Sequence, residues 1–332
     1  MGAVTRVPLS LLDLVLVSHG RTPVDAISAT VRTAQVAEEH GYRRFWLAEH
    51  HNMRGVASSA TAVLVGHVAD HTATIRVGAG GVMLPNHPPL VVAEQFGTLA
   101  AMHGDRIDLG LGRAPGTDPV TARALRRVDA AALDFAAEVA EVRDYLGPVR
   151  REALVRAVPG EGTLVPIWVL GSSHAGASVA AHLGMPYSFA SHFAPAMLDT
   201  ALALYRESFQ PGSIAAPHSM AAANVMVADT ETRARALFSS VLQRFYGIVT
   251  GRRGRLPEPT DEDVTAPWPP AVRAAVGEMV ACSFVGTPRQ VVEGLTDFAR
   301  HTGVEELVVT CAPYDLEDRV RSVTMLGQAW AD

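Results

Sequence analysis

The chain has 332 residues, 48% hydrophobic and 19% charged, with a net charge of −6. That length and apolar content fill a large core and exclude a disordered chain, while the acidic balance without a long basic run argues against nucleic acid and anionic membranes as partners. All 28 cationic residues are arginine. This removes mechanisms that need a lysine amine, such as Schiff-base aldolases, pyridoxal phosphate enzymes and the P-loop. Any phosphate must be held by arginine, hydroxyls or backbone N–H groups.

Leu9 to Val17 is a short apolar run and reads as a buried strand. It is too short to span a bilayer and lacks a signal-peptide cleavage pattern. Thr22-Pro23 then offers an N-cap and a first-turn proline, and Val24, Ile27, Val31, Ala34 and Ala37 follow at helical spacing until Gly41. Phe45 to Ala48 is the second strand, with a helix over 58–71. Ile75 to Gly81 is the third, followed by a helix over 90–102. Ile107 to Gly112 is the fourth, followed by a helical stretch through Tyr145. Ile167 to Leu170, Tyr187 to Ala190, Ala223 to Val227 and Leu307 to Thr310 complete eight strands, each with a helix after it.

Strands apolar on both faces that alternate with helices predict a parallel sheet, and eight such units predict a (β/α)8 barrel in a single domain spanning 1–332. A doubly wound sheet would need a glycine fingerprint after the first strand; Ser18-His19-Gly20-Arg21 stands there instead. One stretch, 250–281, interrupts the rhythm before the last strand. It is rich in Arg, Pro and acidic residues, contains Trp268 and a helix-like piece from Val272 to Val280, and reads as a lid or mobile insertion. The two cysteines, Cys282 and Cys311, form neither a disulfide framework nor a metal-type pair and read as reduced thiols of a cytoplasmic protein.

A barrel carries its active site at the C-terminal ends of its strands. The second strand ends in Glu49-His50-His51-Asn52, the third runs through Gly78-Ala79-Gly80-Gly81, the fourth leads into Arg113 and the fifth into Gly171-Ser172-Ser173. Histidine is the natural acid/base near neutral pH. Neighbouring strand residues point to opposite faces, so His50 and His51 do not line one metal site, and no metal is expected. The glycines need either a bulge or a close ligand approach as their reason. Arg113 and a Ser-initiated helix start suit one phosphate group, hence a mononucleotide-like cofactor, although Ser173 also suits ordinary N-capping.

Five motifs in this order resemble the bacterial luciferase-like flavin-dependent monooxygenases. They are Phe45 to His51, Val77 to Pro85, Asp108 to Asp118, Trp168 to Ser173 and Val285 to Pro288. The run from Arg113 to Asp118 with Ala124 to Arg127 is similar to a subgroup that includes natural-product tailoring enzymes, such as the one of mensacarcin biosynthesis. The resemblance implies a (β/α)8 barrel that binds reduced FMN supplied by a separate flavin reductase and oxygenates a small-molecule substrate, and it implies a homodimer. It makes His50 the catalytic residue and places Glu49, Gly80, Gly81, Arg113, Leu170, Gly171, Ser172 and Ser173 around the cofactor, with a cis peptide at Gly80–Gly81. The family's second phosphate arginine has no counterpart in Asp134 to Glu138, where Arg126 or Arg127 would have to substitute. Its reactive cysteine position is Gly112, so light emission is not implied. A deazaflavin-dependent dehydrogenase of the same fold, or a flavin-holding protein without catalysis, are the competing readings.

Overall fold

Short apolar runs with no exposed face can bury their backbone groups only by pairing with one another under a coat of helices. The computed structural model describes residues 6–114, 116–125 and 134–332. In chain order it forms β1 (Leu9–Asp13), α1 (Pro23–Glu39), β2 (Arg44–Leu47), α2 (Thr61–Asp70), β3 (Arg76–Met83), α3 (Pro89–His103), β4 (Ile107–Gly112), α4 (Pro119–Ala124) and α5 (Phe135–Leu146). There follow β5 (Ile167–Gly171), α6 (His174–His182), β6 (Tyr187–Phe189), α7 (Leu198–Glu207), β7 (Ser219–Val227), α8 (Glu231–Val249), α9 (Pro270–Met279), β8 (Ser283–Gly286), α10 (Pro288–Thr302), β9 (Glu306–Thr310) and α11 (Leu316–Ala331).

All ladders are parallel. β1 to β7 pair in sequence, β7 pairs with β9, and β9 closes on β1, which makes the (β/α)8 barrel. β8 is a ninth strand beyond the predicted eight. β7 is long: Met220 to Asn224 pair with β9, and Asn224 to Val227 continue past that ladder and pair with β8. The free upper edge of β7 is thus satisfied by a four-residue strand too short to be legible as one.

Other boundaries differ from the sequence reading. β1 stops at Asp13 and not Val17, because the buried Asp13 carboxylate accepts the Val15 N–H at 2.8 Å and Val15 takes φ +51°. Asp13 is held further by the Thr30 hydroxyl at 2.6 Å and by Arg319 at 2.8 Å. The helical stretch through Tyr145 comprises two described helices, each started by an aspartate N-cap, Asp118 for α4 and Asp134 for α5. The predicted N-cap at Thr22 forms a full capping box with Asp25.

The lumen is layered. At its lower end Asp108 accepts from Arg44 at 2.6 Å, from Arg76 at 2.6 and 3.0 Å and from the Trp46 indole at 3.2 Å, while Glu306 accepts from Arg44 at 3.0 Å and from the Ser10 hydroxyl. Arg44 lies 5.0 Å from the Trp168 ring centroid. Above this ionic layer Leu12, Trp46, Trp168, Met220, Ala222 and Val308 fill the centre. The outer core lies between strands and helices, and helices α1 and α11 flank the β1 seam. Among the described residues no helix is long and apolar enough to cross a membrane.

The 250–281 stretch is packed against the rest of the chain. Leu256 pairs with the segment after β1, through Leu256 N–H to Val17 O at 3.0 Å and His19 N–H to Leu256 O at 2.8 Å. Trp268 stacks on Tyr246 at 4.8 Å and joins Phe238, Val241, Phe245 and Val276 in a second small core.

Candidate active site

Parallel register brings the ends of β2 to β6 to one mouth. Leu47 stands opposite Ala79, Met83 opposite Gly112, Gly112 opposite Leu170, and Gly171 opposite Phe189. The residues that follow each pair, 48–51, 113, 172–173 and 190–192, therefore rim the same opening.

Glu49 is buried in this rim. Its Oε1 lies 2.8 Å from His51 Nε2 and 2.9 Å from His87 Nε2, and its Oε2 accepts the Met83 N–H at 3.2 Å. Burial by itself would raise the Glu49 pKa, but the hydrogen bonds and positive character of His87 and His51 outweigh it and hold the carboxyl below its ordinary value. Glu49 thus fastens the segment after β2 to the end of β3. The three ligand-type atoms of Glu49, His51 and His87 lie within 4.8 Å of one another, and their contacts have hydrogen-bond lengths. Spacing along the chain did not reveal this cluster, because His87 reaches it only through the fold of β3.

His50 and His51 diverge. β2 ends at Leu47 and Asn52 takes φ +54°, so the pair sits on irregular backbone. His51 turns to Glu49, whereas His50 Nδ1 is buried and has no hydrogen-bond partner among the described residues. Burial pulls the His50 pKa down to about 4, with the positive charge of Arg244 adding to the effect. His50 is therefore a neutral imidazole at neutral pH.

The Gly80–Gly81 peptide is cis, and β3 shifts register between Ala79 and Val82. Packing requires glycine at Gly81, where a Cβ would fall 2.5 Å from the Gly110 carbonyl oxygen, while a Cβ on Gly80 would fall 2.9 Å from Leu12 Cδ1 and displace that side chain. Leu170 packs over the same spot, its Cδ1 2.8 Å from the Cβ position of Gly81.

The β5 end has the form of an oxyanion cradle. Gly171 packs closely on Gly176, where a Cβ would stand 3.2 Å from the Gly176 Cα, so α6 starts tight against the strand. Ser173 is the N-cap of α6, yet its hydroxyl makes no capping hydrogen bond. Among the described residues the Ser172 and Ser173 hydroxyls donate no hydrogen bond and the exposed Arg113 has no carboxylate partner, and these groups stand with the first-turn N–H groups of α6 at neighbouring register positions. Arg126 and Arg127 lie outside the described residues.

Sequence reading passed over His192, after β6, and Arg244 and Arg253. His192 is 8% exposed, and its Nδ1 has no partner. Its burial, then Arg244 and His50, depress its pKa to about 3. The sequence signal was present, since Ser191-His192 follows an apolar strand as Glu49-His50 does; the two arginines lie on α8 and the insertion, far along the chain from any strand end.

A closed parallel barrel with buried acid/base groups and an oxyanion cradle at its C-terminal mouth defines a (β/α)8-barrel enzyme. Over residues 12–306 the sequence matches the luciferase-like monooxygenase family. A luciferase-like monooxygenase of Escherichia coli (strain K12) is 44% identical over 318 residues, covering 95% of each chain. The uncharacterized protein YvbT of Bacillus subtilis (strain 168) is 47% identical over 326 residues, covering 97% of this chain and 96% of the relative. Among solved structures, apo-MsnO8 superposes with a TM-score of 0.87 at 32% identity, over 98% of this chain and 99% of that one. The chain belongs to the luciferase-like monooxygenase family, and it is a monooxygenase.

Proposed function

We propose that this protein is a two-component, FMN-dependent monooxygenase. It takes reduced FMN from a separate flavin reductase and oxygenates a small organic substrate, of which a polyketide is one class, in the cytoplasm and as a homodimer. The observation that carries the cofactor reading is the N-cap of α6. Ser173 starts a helix without using its hydroxyl for the cap, and Arg113 has no carboxylate partner among the described residues. That donor set fits one phosphate monoester, and Ser172, Ser173, Arg113 and the α6 N–H groups would hold it.

Bound reduced flavin supplies the activation of dioxygen. The rest of the reading concerns the chain's own groups. Glu49 holds the segments after β2 and β3 in register through His51, His87 and Met83. His50 offers a neutral imidazole whose Nδ1 is unpartnered and can take or give a proton according to tautomer. The 250–281 segment, tied to Val17 and His19 through Leu256, acts as a cover that keeps water from the mouth.

An anaerobic titration with photoreduced FMN, followed by exposure to air, tests the reading. Tight binding, with air reoxidation kinetics and spectra distinct from those of free flavin, is the expected result. Absence of binding, or reoxidation identical to that of free flavin, overturns it, and binding of a reduced deazaflavin coenzyme in its place identifies a hydride-transfer enzyme.

A further inference from the structure

Tertiary contact gathers four arginines at the rim of the mouth. Gly55 belongs to the segment after β2, and Gly254 to the strap that follows α8. The two segments touch: the Cβ position of Gly55 lies 3.0 Å from the Arg255 Cα. Both are tied to the segment after β1, through Val17 N–H to Gly55 O at 3.0 Å and Leu256 N–H to Val17 O at 3.0 Å. Arg54 precedes Gly55, and Arg252, Arg253 and Arg255 flank Gly254, so all four stand within two residues of this contact. All four are exposed, and among the described residues none has a side-chain hydrogen bond or a carboxylate partner. Many exposed arginines elsewhere are paired, as Arg233 is with Asp318 at 2.9 Å and Arg235 with Glu231 at 2.6 Å. The nearest carboxylate along the strap, Glu258, accepts from the Tyr314 hydroxyl at 3.2 Å.

Guanidinium groups stay charged at any working pH. The chain as a whole carries −6, so this patch is positive against an acidic background. No neighbour fixes the four side chains around one point, as an oxyanion pocket would require. What they supply is a field. A field of one sign at a cleft speeds the arrival of an oppositely charged ligand, by roughly 10- to 1,000-fold in strong cases. The acidic surround adds to this, since it turns the same ligand away from the rest of the molecule.

The position of the patch indicates the ligand. It stands on the β1 and β2 side of the mouth, and Arg113, Ser172 and Ser173 stand on the β4 and β5 side. An anion drawn to the patch therefore arrives at the opening that those donors also rim. Reduced FMN suits such a surface. Its phosphate monoester is negatively charged at neutral pH, and reduced flavin reacts with dioxygen while free in solution, so rapid capture has a chemical advantage.

We propose that Arg54, Arg252, Arg253 and Arg255 form a steering surface that captures anionic reduced FMN at the mouth and speeds its binding without being its resting site. This rests on the flavin reading above and adds the route by which the cofactor arrives. The four arginines set the association rate, whereas Arg113, Ser172 and Ser173 hold the bound phosphate.

Anaerobic stopped-flow binding of photoreduced FMN and photoreduced riboflavin tests this on the wild type, Arg54→Gln and the double variant Arg253→Gln/Arg255→Gln. Arg151→Gln is the control. Arg151 is exposed and without a carboxylate partner among the described residues, and it lies between α5 and β5, at the opposite end of the barrel. At low ionic strength the double variant should bind reduced FMN about tenfold more slowly and Arg54→Gln about threefold more slowly, with dissociation rates within about twofold of the wild type. The differences should vanish at about 1 M salt, where charges are screened within about 3 Å. Riboflavin, which lacks the phosphate, should associate equally fast with every protein, and Arg151→Gln should match the wild type. Equal FMN association rates in wild type and variants overturn the steering surface. So does a change confined to dissociation, which would assign these arginines to the bound phosphate, and so does an equal loss in Arg151→Gln, which would reduce the effect to net charge. A wild type that binds no reduced FMN overturns the flavin reading and the steering with it, whereas binding at unchanged association rates overturns the steering alone.

Discussion

Gly55 and Gly254 meet backbone to backbone: a Cβ on Gly55 would fall 2.1 Å from the Gly254 carbonyl oxygen. Gly55 belongs to the segment after β2 that begins with Glu49 and His50, and Gly254 belongs to the insertion after α8. The contact therefore ties the insertion to the segment that bears the catalytic candidate, and two residues later Leu256 pairs with Val17 and His19.

Gly55→Ala should prise this contact open, since carbonyl oxygen cannot yield as a flexible side chain does. Limited trypsin digestion should then cut faster after Arg252, Arg253 and Arg255 than in the wild type, with the barrel otherwise intact. Equal cleavage rates would show that the seating of the strap does not depend on Gly55.

His50→Gln should leave reduced-flavin affinity within about twofold and lower product formation by roughly 100-fold or more, the range for loss of a positioned proton-transfer group. Flavin binding and substrate turnover measured on the same preparation decide it. Undiminished turnover removes His50 from the mechanism.

Ser173→Ala and Arg113→Met should each weaken FMN binding by about tenfold while leaving riboflavin unchanged, because each removes a donor to the phosphate alone. Equal losses for both flavins would place these residues against the ring or ribityl chain.

Asp108→Ala should cost roughly 3–5 kcal/mol of stability, because Arg44 and Arg76 would lose a fully buried carboxylate. Denaturant unfolding at neutral pH measures this. A loss below about 1 kcal/mol would mean that the lower ionic layer is replaceable, as some buried ion networks are.

Stability should fall as pH drops from neutrality. His192 and His50 have native pKa values depressed to about 3 and about 4, against an ordinary 6.5. Between 6.5 and those values the unfolded chain binds more protons, so unfolding becomes easier as pH falls, by up to about 1.4 kcal/mol per pH unit for each buried site. Arg244 and the opposite imidazole face His192, and neither stabilises its charged form. Chemical unfolding at pH 7, 6, 5 and 4 should show a shallower loss for His192→Phe than for the wild type. Parallel slopes for the two proteins would contradict the buried neutral state of His192.

Hydrophobic periodicity was sufficient for the barrel strands, because a parallel strand covered on both faces leaves a continuous apolar run. It failed where a local polar group redirects the chain. Asp13, an acid inside such a run, binds the Val15 amide and ends β1 early. Ser283–Gly286 failed for the opposite reason: three half-covered residues and a buried glycine carry no periodicity, and only the free edge of β7 makes them a strand.

The same division holds at the mouth. That Glu49, His50, Arg113 and Ser173 share one mouth was legible because barrel geometry sends the residue after each strand to one end, whatever the rest of the chain does. The sequence thereby determined the fold, the barrel end that these residues share and the family. Only tertiary structure decided which groups share a charge environment there. His87 reaches Glu49 through the path of β3, and the charge of Arg244, on α8, bears on both His50 and His192. Strand-end placement follows from local pairing, but the field at an imidazole is a sum over everything folded around it, and no spacing along the chain encodes that sum.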